Sequence, residues 1–531
     1  MKSILIAATG TLVLIAMPAP AAAQMNMPGM TMPVSTKKAP AKKHAPKKKH
    51  APAKTVTKKP LRNKAAEKPH AQSSARSMTK PMRHGGMPAP MPPQPQGQGS
   101  TMPTKDTMPK RSQGQTSGAM SMPMSQTQTG HAAMGQMSMG PGGHGMSTAG
   151  AYGPYRGERE SSGTAWQPDA SRAMSGPMLM SGDWMLMAHG TLNLIYDHQS
   201  GPRGDNKAFA SGMLMGMARH PLGNGTVQFR AMLSPDPLMG PSGYPLLLAS
   251  GETANGRDPL IDRQHPHDFF MELSASASQN LGPKSSVFLY AGLPGEPAFG
   301  PPSFMHRESI MDSPEAPITH HWLDSTHITF GVVTAGLVLD RVKIEASRFN
   351  GREPDQHRWN IETGPLDSSS MRLSWNPTRT LALQGSWARL VDPEQLEPGM
   401  NQTRWSASAL WADDFSDSWH AAATLAWGRK SRNGHNDDGI AAEASLNHAE
   451  WTLFGRGEWI ENRELLGLVD GPAYKVGKVS LGAVRDFRIA EHFSVGAGGL
   501  LSVNFVPDAI APLYGGHNPI GAMAFLRLKL N

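Results

Sequence analysis

The nine residues Trp419-His420-Ala421-Ala422-Ala423-Thr424-Leu425-Ala426-Trp427 restrict the fold of this chain more than any others. Read with a period of two, Trp419, Ala421, Ala423, Leu425 and Trp427 share one face, and His420, Ala422, Thr424 and Ala426 share the other. At ~3.3 Å per residue the two indoles stand ~26 Å apart along a strand, and a tilt of ~40° reduces this to ~20 Å of height, close to the apolar band of an outer membrane. Trp451, Leu453, Gly455, Gly457 and Trp459 repeat the arrangement one hairpin later, with Thr452, Arg456 and Glu458 opposite. A soluble sandwich accommodates one such strand; two point to aromatic girdles against lipid.

The compartment follows from the first residues. Met1-Lys2-Ser3, an apolar stretch over 4–17 and Ala21-Ala22-Ala23 read as a secretory signal peptide over 1–23. No later segment reaches the ~20 apolar residues of a spanning helix, so any membrane crossing must use a closed barrel, which leaves no sheet edge unsatisfied in hydrocarbon. The sequence contains no Cys, which excludes disulfides and thiolate metal sites, and 35 Met, which makes thioether its sulfur donor. The formal net charge of +9 is concentrated in one early tract. In an exported chain that tract meets lipopolysaccharide, peptidoglycan or anionic lipid, and nucleic acid is not expected as a partner.

Residues 24–178 are poor in aliphatics and rich in Pro, Gly, Ser, Lys, His and Met, a composition expected to remain disordered in the periplasm. Lys47-Lys48-Lys49-His50 and Lys58-Lys59-Pro60 mark an extended basic tract over 37–64. Methionine clusters flank it: Met25, Met27, Met30 and Met32, and then Met120, Met122, Met124, Met134, Met137 and Met139 with His144 and Met146. Thioethers select soft ions, and Met-x-Met spacing lets a flexible chain wrap Cu(I) or Ag(I) without a preformed fold. The alternative is methionine as neutral filler in a linker.

From 179 to 531 the pattern becomes alternating segments separated by Gly, Pro, Asn and Asp. Sixteen strands are expected, near 184–197, 207–219, 225–234, 268–278, 285–292, 326–335, 338–349, 369–376, 380–391, 402–413, 418–430, 439–448, 450–461, 476–487, 491–505 and 520–530, with 14–18 as the range. The fold class is therefore an all-β antiparallel transmembrane barrel after a long disordered N-terminal region. Short turns alternate with long loops, and an even strand count places both termini in the periplasm.

In the first strand Trp184, Leu186, Leu192 and Leu194 face lipid, leaving Met185, Met187, His189, Thr191 and Asn193 in the lumen. Met213, Met215 and Met217 alternate with Leu214 and Gly216, and parity alone leaves them lipid-facing or lumenal. Histidines gather in the first two long loops, at His265, His267 and Asp268 and at His320, His321 and His327. Ile328, Phe330 and Val332 are expected to face outward, which turns His327 inward. Imidazole with carboxylate suits Cu(II) or Zn(II); the same residues also serve as a polar network pinning loops into the lumen. Asp324, Ser325 and His327 lie close in sequence, but no nucleophile elbow, phosphate loop or zinc-protease helix is present, and no enzyme activity is expected.

The closing strand, Phe525-Leu526-Arg527-Leu528-Lys529-Leu530-Asn531, resembles the C-terminal insertion signal of outer-membrane barrels, although that signal usually ends in Phe or Trp. In layout, a signal peptide, a Met/His-rich tail and a C-terminal barrel resemble the outer-membrane copper-resistance protein B family of Gram-negative bacteria. Residues 263–272, 320–328 and 349–355 resemble a group of uncharacterised outer-membrane proteins encoded near heavy-metal efflux systems. These resemblances imply copper or silver tolerance, with a periplasmic copper oxidase or an efflux pump as partner. The alternative expectation is a porin-like or envelope-anchoring barrel whose basic tail meets peptidoglycan and lipopolysaccharide.

Overall fold

The computed structural model describes residues 149–172, 176–468 and 470–531. The signal peptide, the basic tract and the tail donors from Met25 to Met146, His144 included, lie outside the described residues. The strands are β1 (Met178–Ser181), β2 (Trp184–Gln199), β3 (Asn206–Leu222), β4 (Gly225–Leu233), β5 (Tyr244–Thr253), β6 (Pro259–Gln264), β7 (Phe270–Gly282), β8 (Ser285–Gly292), β9 (Val332–Leu339), β10 (Val342–Phe349), β11 (Ser368–Thr378), β12 (Leu381–Leu390), β13 (Gln402–Ser416), β14 (Trp419–Arg432), β15 (His435–His448), β16 (Trp451–Asn462), β17 (Tyr474–Ala490), β18 (Phe493–Phe505) and β19 (Ile520–Leu530).

The main sheet has 17 strands, and without β1 they close as a ring of sixteen antiparallel strands in which β19 pairs with β2. β19 ends opposite Gly190, and β1 pairs with the rest of β2, Met178 opposite Met187 and Ser181 opposite Trp184. Closure removes every long unpaired edge, as hydrocarbon requires. One end of the ring has two-residue turns at 223–224, 283–284, 340–341, 379–380, 417–418, 449–450 and 491–492. The other end carries the long connections 234–269, 293–331, 350–367, 391–401, 463–473 and 506–519. Short turns mark the periplasmic rim of an outer-membrane barrel.

Outward positions read as the alternation requires. Trp419 and Leu425 are exposed while His420, Ala422, Thr424 and Ala426 are buried, and Trp451 and Leu453 are exposed while Thr452, Arg456 and Glu458 are buried. Register places the indoles at two heights: Trp419 lies opposite His448, itself opposite Trp451, and Trp427 lies opposite Ile440, itself opposite Trp459. With Leu425, Leu453, Leu481 and Leu501 at 51–70% exposure between such rims, the outer surface is a lipid surface.

Chain packs inside the ring and fills much of the lumen. Leu246, Leu247 and Leu248 of the β5–β6 hairpin and Trp322 and Leu323 of the 293–331 segment belong to one apolar core with the wall residues Phe209, Phe454, Ile460, Met523 and Phe525. Residues 149–172 also pack, although composition grouped 24–178 as one disordered region. They carry aromatics that the rest of that region lacks: Tyr152 packs on Phe288 with ring centroids 4.8 Å apart, and Trp166 lies under Arg159 at 4.7 Å. Ser278, Ser286 and Asn376 of the wall donate hydrogen bonds to the carbonyls of Ala151, Tyr152 and Gln167.

The expected strand at 326–335 differs from the structure. Residues Ser325–His327 form a single 3-10 turn, and β9 begins only at Val332, after Gly331 at φ +119°. Ile328, Phe330 and Val332 are buried inside, the first two on Met215, Met232 and Met271, whereas Val333 takes the outward face. The segment belongs to the plug, so strand parity did not apply to it.

Candidate functional site

Five imidazoles meet inside the barrel. β6 leads directly into His265, with Pro266 and His267 following; His320 and His321 open the four-residue helix α1 (His320–Leu323), and His327 ends the turn after it. Ring centroids lie 5.8 Å apart for His265 and His320, 5.7 Å for His265 and His321, and 5.5 Å for His320 and His321. His327 is 5.2 Å from His320 and 5.3 Å from His267. All five are buried.

The loop that presents three of them is fixed by a buried guanidinium. Arg307 reaches Asp324 at 2.5 Å and Glu443 of β15 at 2.7 Å. Asp324 in turn contacts Nδ1 of His320 at 2.7 Å, while its carbonyl accepts from Nδ1 of His327 at 2.8 Å. Asp236 holds Nδ1 of His267 at 2.9 Å, and Glu353 holds Nδ1 of His321 at 3.2 Å. An acceptor at Nδ1 selects the tautomer with a bare Nε2, the form that ligates metal. The Nε2 atoms of His267, His321 and His327 are buried and have no hydrogen-bond partner among the described residues.

Burial sets most of the charges. It holds His265 and His327 well below the ordinary imidazole range, helped by neighbouring cations and imidazoles. His321 is the exception: burial lowers it, but the Glu353 carboxylate outweighs burial and raises it. Burial also raises Glu353, yet His321 and Arg404 hold that carboxyl well below its usual range. Glu394 is pushed up to about 8 by burial and by repulsion from Glu353 and Glu464. One ligand atom each from His321, Glu353 and Glu394 lies within 4.8 Å of the others, and these are the residues among those described that form a metal-sized imidazole–carboxylate group. Gly251 packs against it: a Cβ there would stand 2.5 Å from His321 Nε2.

Of the residues expected from sequence, His265, His267, His320, His321 and His327 come together. Asp268 does not join them; its carboxylate faces Arg358 at 3.2 Å, and Arg358 also binds Glu252. Met185 and Met187 stand on the lumen face of β2, half-buried, opposite Arg219 and Met217. Met213, Met215 and Met217 also point inward, since Leu214 between them is 52% exposed on the lipid face. Ser325 Oγ is held by Arg404 at 2.7 Å and makes no bond to His327. Glu353 and Glu394 were missed. Glu353 lies in Asn350-Gly351-Arg352-Glu353-Pro354-Asp355, which reads as a charge-stabilised turn, and Glu394 comes from a different loop with no local motif.

A cavity of about 470 Å³ runs from the short-turn rim, at Ala449, Glu450 and Asn531, inward to His189, His265 and His267.

Neither family models nor curated proteins match the chain. Among solved structures it is similar to the outer-membrane protein OmpT of Vibrio cholerae (8% identity, 66% of this chain and 100% of that one, TM-score 0.39). It is also similar to the anion-selective porin of Comamonas acidovorans (11%, 65% and 99%, 0.37) and to OprB of Pseudomonas putida (9%, 66% and 94%, 0.40).

Proposed function

We propose that this outer-membrane barrel is a non-enzymatic, metal-handling member of the porin-like architectures. In this reading a borderline cation, Cu(II) or Zn(II), binds inside the lumen at His321, Glu353 and Glu394. The observation that carries it is the approach of three ligand atoms, from three separate loops and with Glu394 half-buried, to within 4.8 Å of one another. Two carboxylates brought this close in a buried site repel, and a divalent cation relieves that repulsion. His265, His320 and the other imidazoles supply further nitrogen donors beside it.

The wider role proposed is copper or silver tolerance. The methionine clusters from Met25 to Met146 would capture Cu(I) or Ag(I) in the periplasm and deliver it to the barrel. Supporting this placement, Ala149 sits by the short-turn end of β3, where its carbonyl accepts from Arg219 at 2.6 Å. A chain leaving there enters the periplasm. A periplasmic copper oxidase or an efflux pump would supply or remove the ion.

A second reading is a porin-like or anchoring barrel, its basic tract bound to peptidoglycan or lipopolysaccharide. The closed sixteen-stranded ring and its lipid face favour it, as does the fact that His320, Asp324, Arg307 and Glu443 already satisfy one another as a structural network.

The test is the copper and silver dose response of a deletion strain complemented with the full chain, with a chain lacking 24–146, or with Glu394→Gln. Sensitivity rescued by the full chain alone supports the metal reading and assigns roles to both regions. Wild-type growth of the deletion strain at every dose sinks it and leaves the porin or tether reading.

A further inference from the structure

The inward methionines do more than fill space. Cross-strand register sets His189 of β2 opposite Met215 of β3, and Met215 opposite Met232 of β4. Side chains directly opposite in a sheet stand roughly 4.5–5.5 Å apart at Cβ, so an imidazole and two thioethers form one lumenal row. All three are buried. Onto this row the plug lowers the single turn Phe304–His306: Met305 packs against the cluster of Met215, Met232 and Met271.

An apolar core accounts for the methionines and leaves the histidines unexplained. His306 is 3% exposed, and neither of its ring nitrogens has a hydrogen-bond partner among the described residues; His189 Nε2 is likewise buried and unpartnered. Each such orphan is costly to bury, and a wall built only for packing would place leucine there. His189 and Arg230 are electrostatic neighbours of His306. The nearby Arg230 is paired with Glu272 at 2.8 Å and also donates to the Gly163 carbonyl.

We propose that His189, His306, Met215 and Met232 form a site for a soft monovalent cation, Cu(I) or Ag(I), between the barrel wall and the plug. Two neutral imidazoles and two thioethers are a donor set for d10 monovalent ions and a poor one for hard cations. The site needs no carboxylate, in keeping with a single positive charge. It is chemically separate from the His321–Glu353–Glu394 group and stands or falls independently of it. Access is from the periplasmic rim, through the cavity that His189, Met213 and Met305 line.

The experiment uses the full chain purified in detergent with Ag(I) as probe. Anomalous diffraction from Ag(I)-loaded crystals is expected to place a silver ion among His189, His306, Met215 and Met232. Ag(I) is also expected to protect Met215 and Met232 from peroxide oxidation, read residue by residue by mass spectrometry so that the tail methionines do not interfere. Met215→Leu nearly conserves volume, which keeps the fold, and is expected to raise the Ag(I) concentration protecting Met232 by roughly tenfold or more. Zn(II) binding should be unchanged in that variant and reduced in Glu394→Gln, so failure at one site is distinguishable from failure at the other. No silver at His306 in loaded crystals, or oxidation of Met215 and Met232 at the same rate with and without Ag(I), overturns the proposal.

Discussion

The two faces of the barrel wall solve opposite problems with the same strands. Outside, Trp184, Leu425, Leu453, Leu481 and Leu501 meet lipid and need only be apolar. Inside, Arg307, Arg404, Arg456, Lys343 and Lys478 are buried at 0–2% exposure beside Asp324 and Glu353, Glu458, Glu345 and Glu315. The outer face tolerates exchange among apolar residues because lipid has no fixed geometry. The inner face does not, because each buried charge has a named partner and removing one strands the other.

That contrast breaks most readily at Arg307. Arg307→Ala leaves Asp324 and Glu443 buried without their cation, at a cost of about 3–5 kcal/mol to docking of the plug. Limited proteolysis should then open 303–331, and planar-bilayer recordings should show larger currents than the parent. Equal protection and equal current would mean that the plug is held elsewhere. On the opposite face, Leu481→Arg, opposite Gly455 and midway between the levels of Trp451 and Trp459, places a charge in mid-bilayer at about 2–4 kcal/mol. The expected result is a lower midpoint in lipid unfolding with conductance unchanged; a changed conductance would show that the two faces are not independent.

Gly251→Ala acts on the inner face more gently. Its Cβ would displace His321 and force a side chain onto φ +112°, at about 1–3 kcal/mol of local strain. Isothermal titration with Zn(II) should show weaker binding in a barrel that still folds, and unchanged affinity would remove His321 from the ligand set.

The smallest effect near neutrality is that of pH. His265 and His327 titrate well below the ordinary imidazole range and His306 at about 3, all lowered chiefly by burial. The folded state therefore resists protonation. Its advantage is complete above the unfolded value near ~6.5 and is lost as pH falls from there toward the folded values. The protection factor of 303–331 against hydrogen exchange, taken relative to intrinsic exchange at each pH, should be flat between pH 8 and 7 and fall below 6; identical protection at pH 7 and 4 would show that these imidazoles do not anchor the plug.

Sequence legibility divides along the same line. The wall strands other than β9 were readable because lipid outside and polar groups inside impose a strict two-residue period, and the parity of β2, β14 and β16 followed from it. Ile328, Phe330 and Val332 were misassigned because they alternate like a strand while packing against the plug, and residues 149–172 were misgrouped because a few aromatics were hidden in a long polar composition.

By itself, the sequence determined a lipid-facing barrel of about sixteen strands and an inventory of imidazoles in two loops, together with the expectation that its short turns are periplasmic. These are local patterns, fixed by periodicity and turn chemistry. Only the tertiary structure decided that His321 would meet Glu353 and Glu394, that Met305 would pack against Met215 and Met232, and that Asp268 would go to Arg358 instead. Those meetings join residues tens of positions apart, and nothing in local sequence specifies which segments share the inside of a closed cylinder.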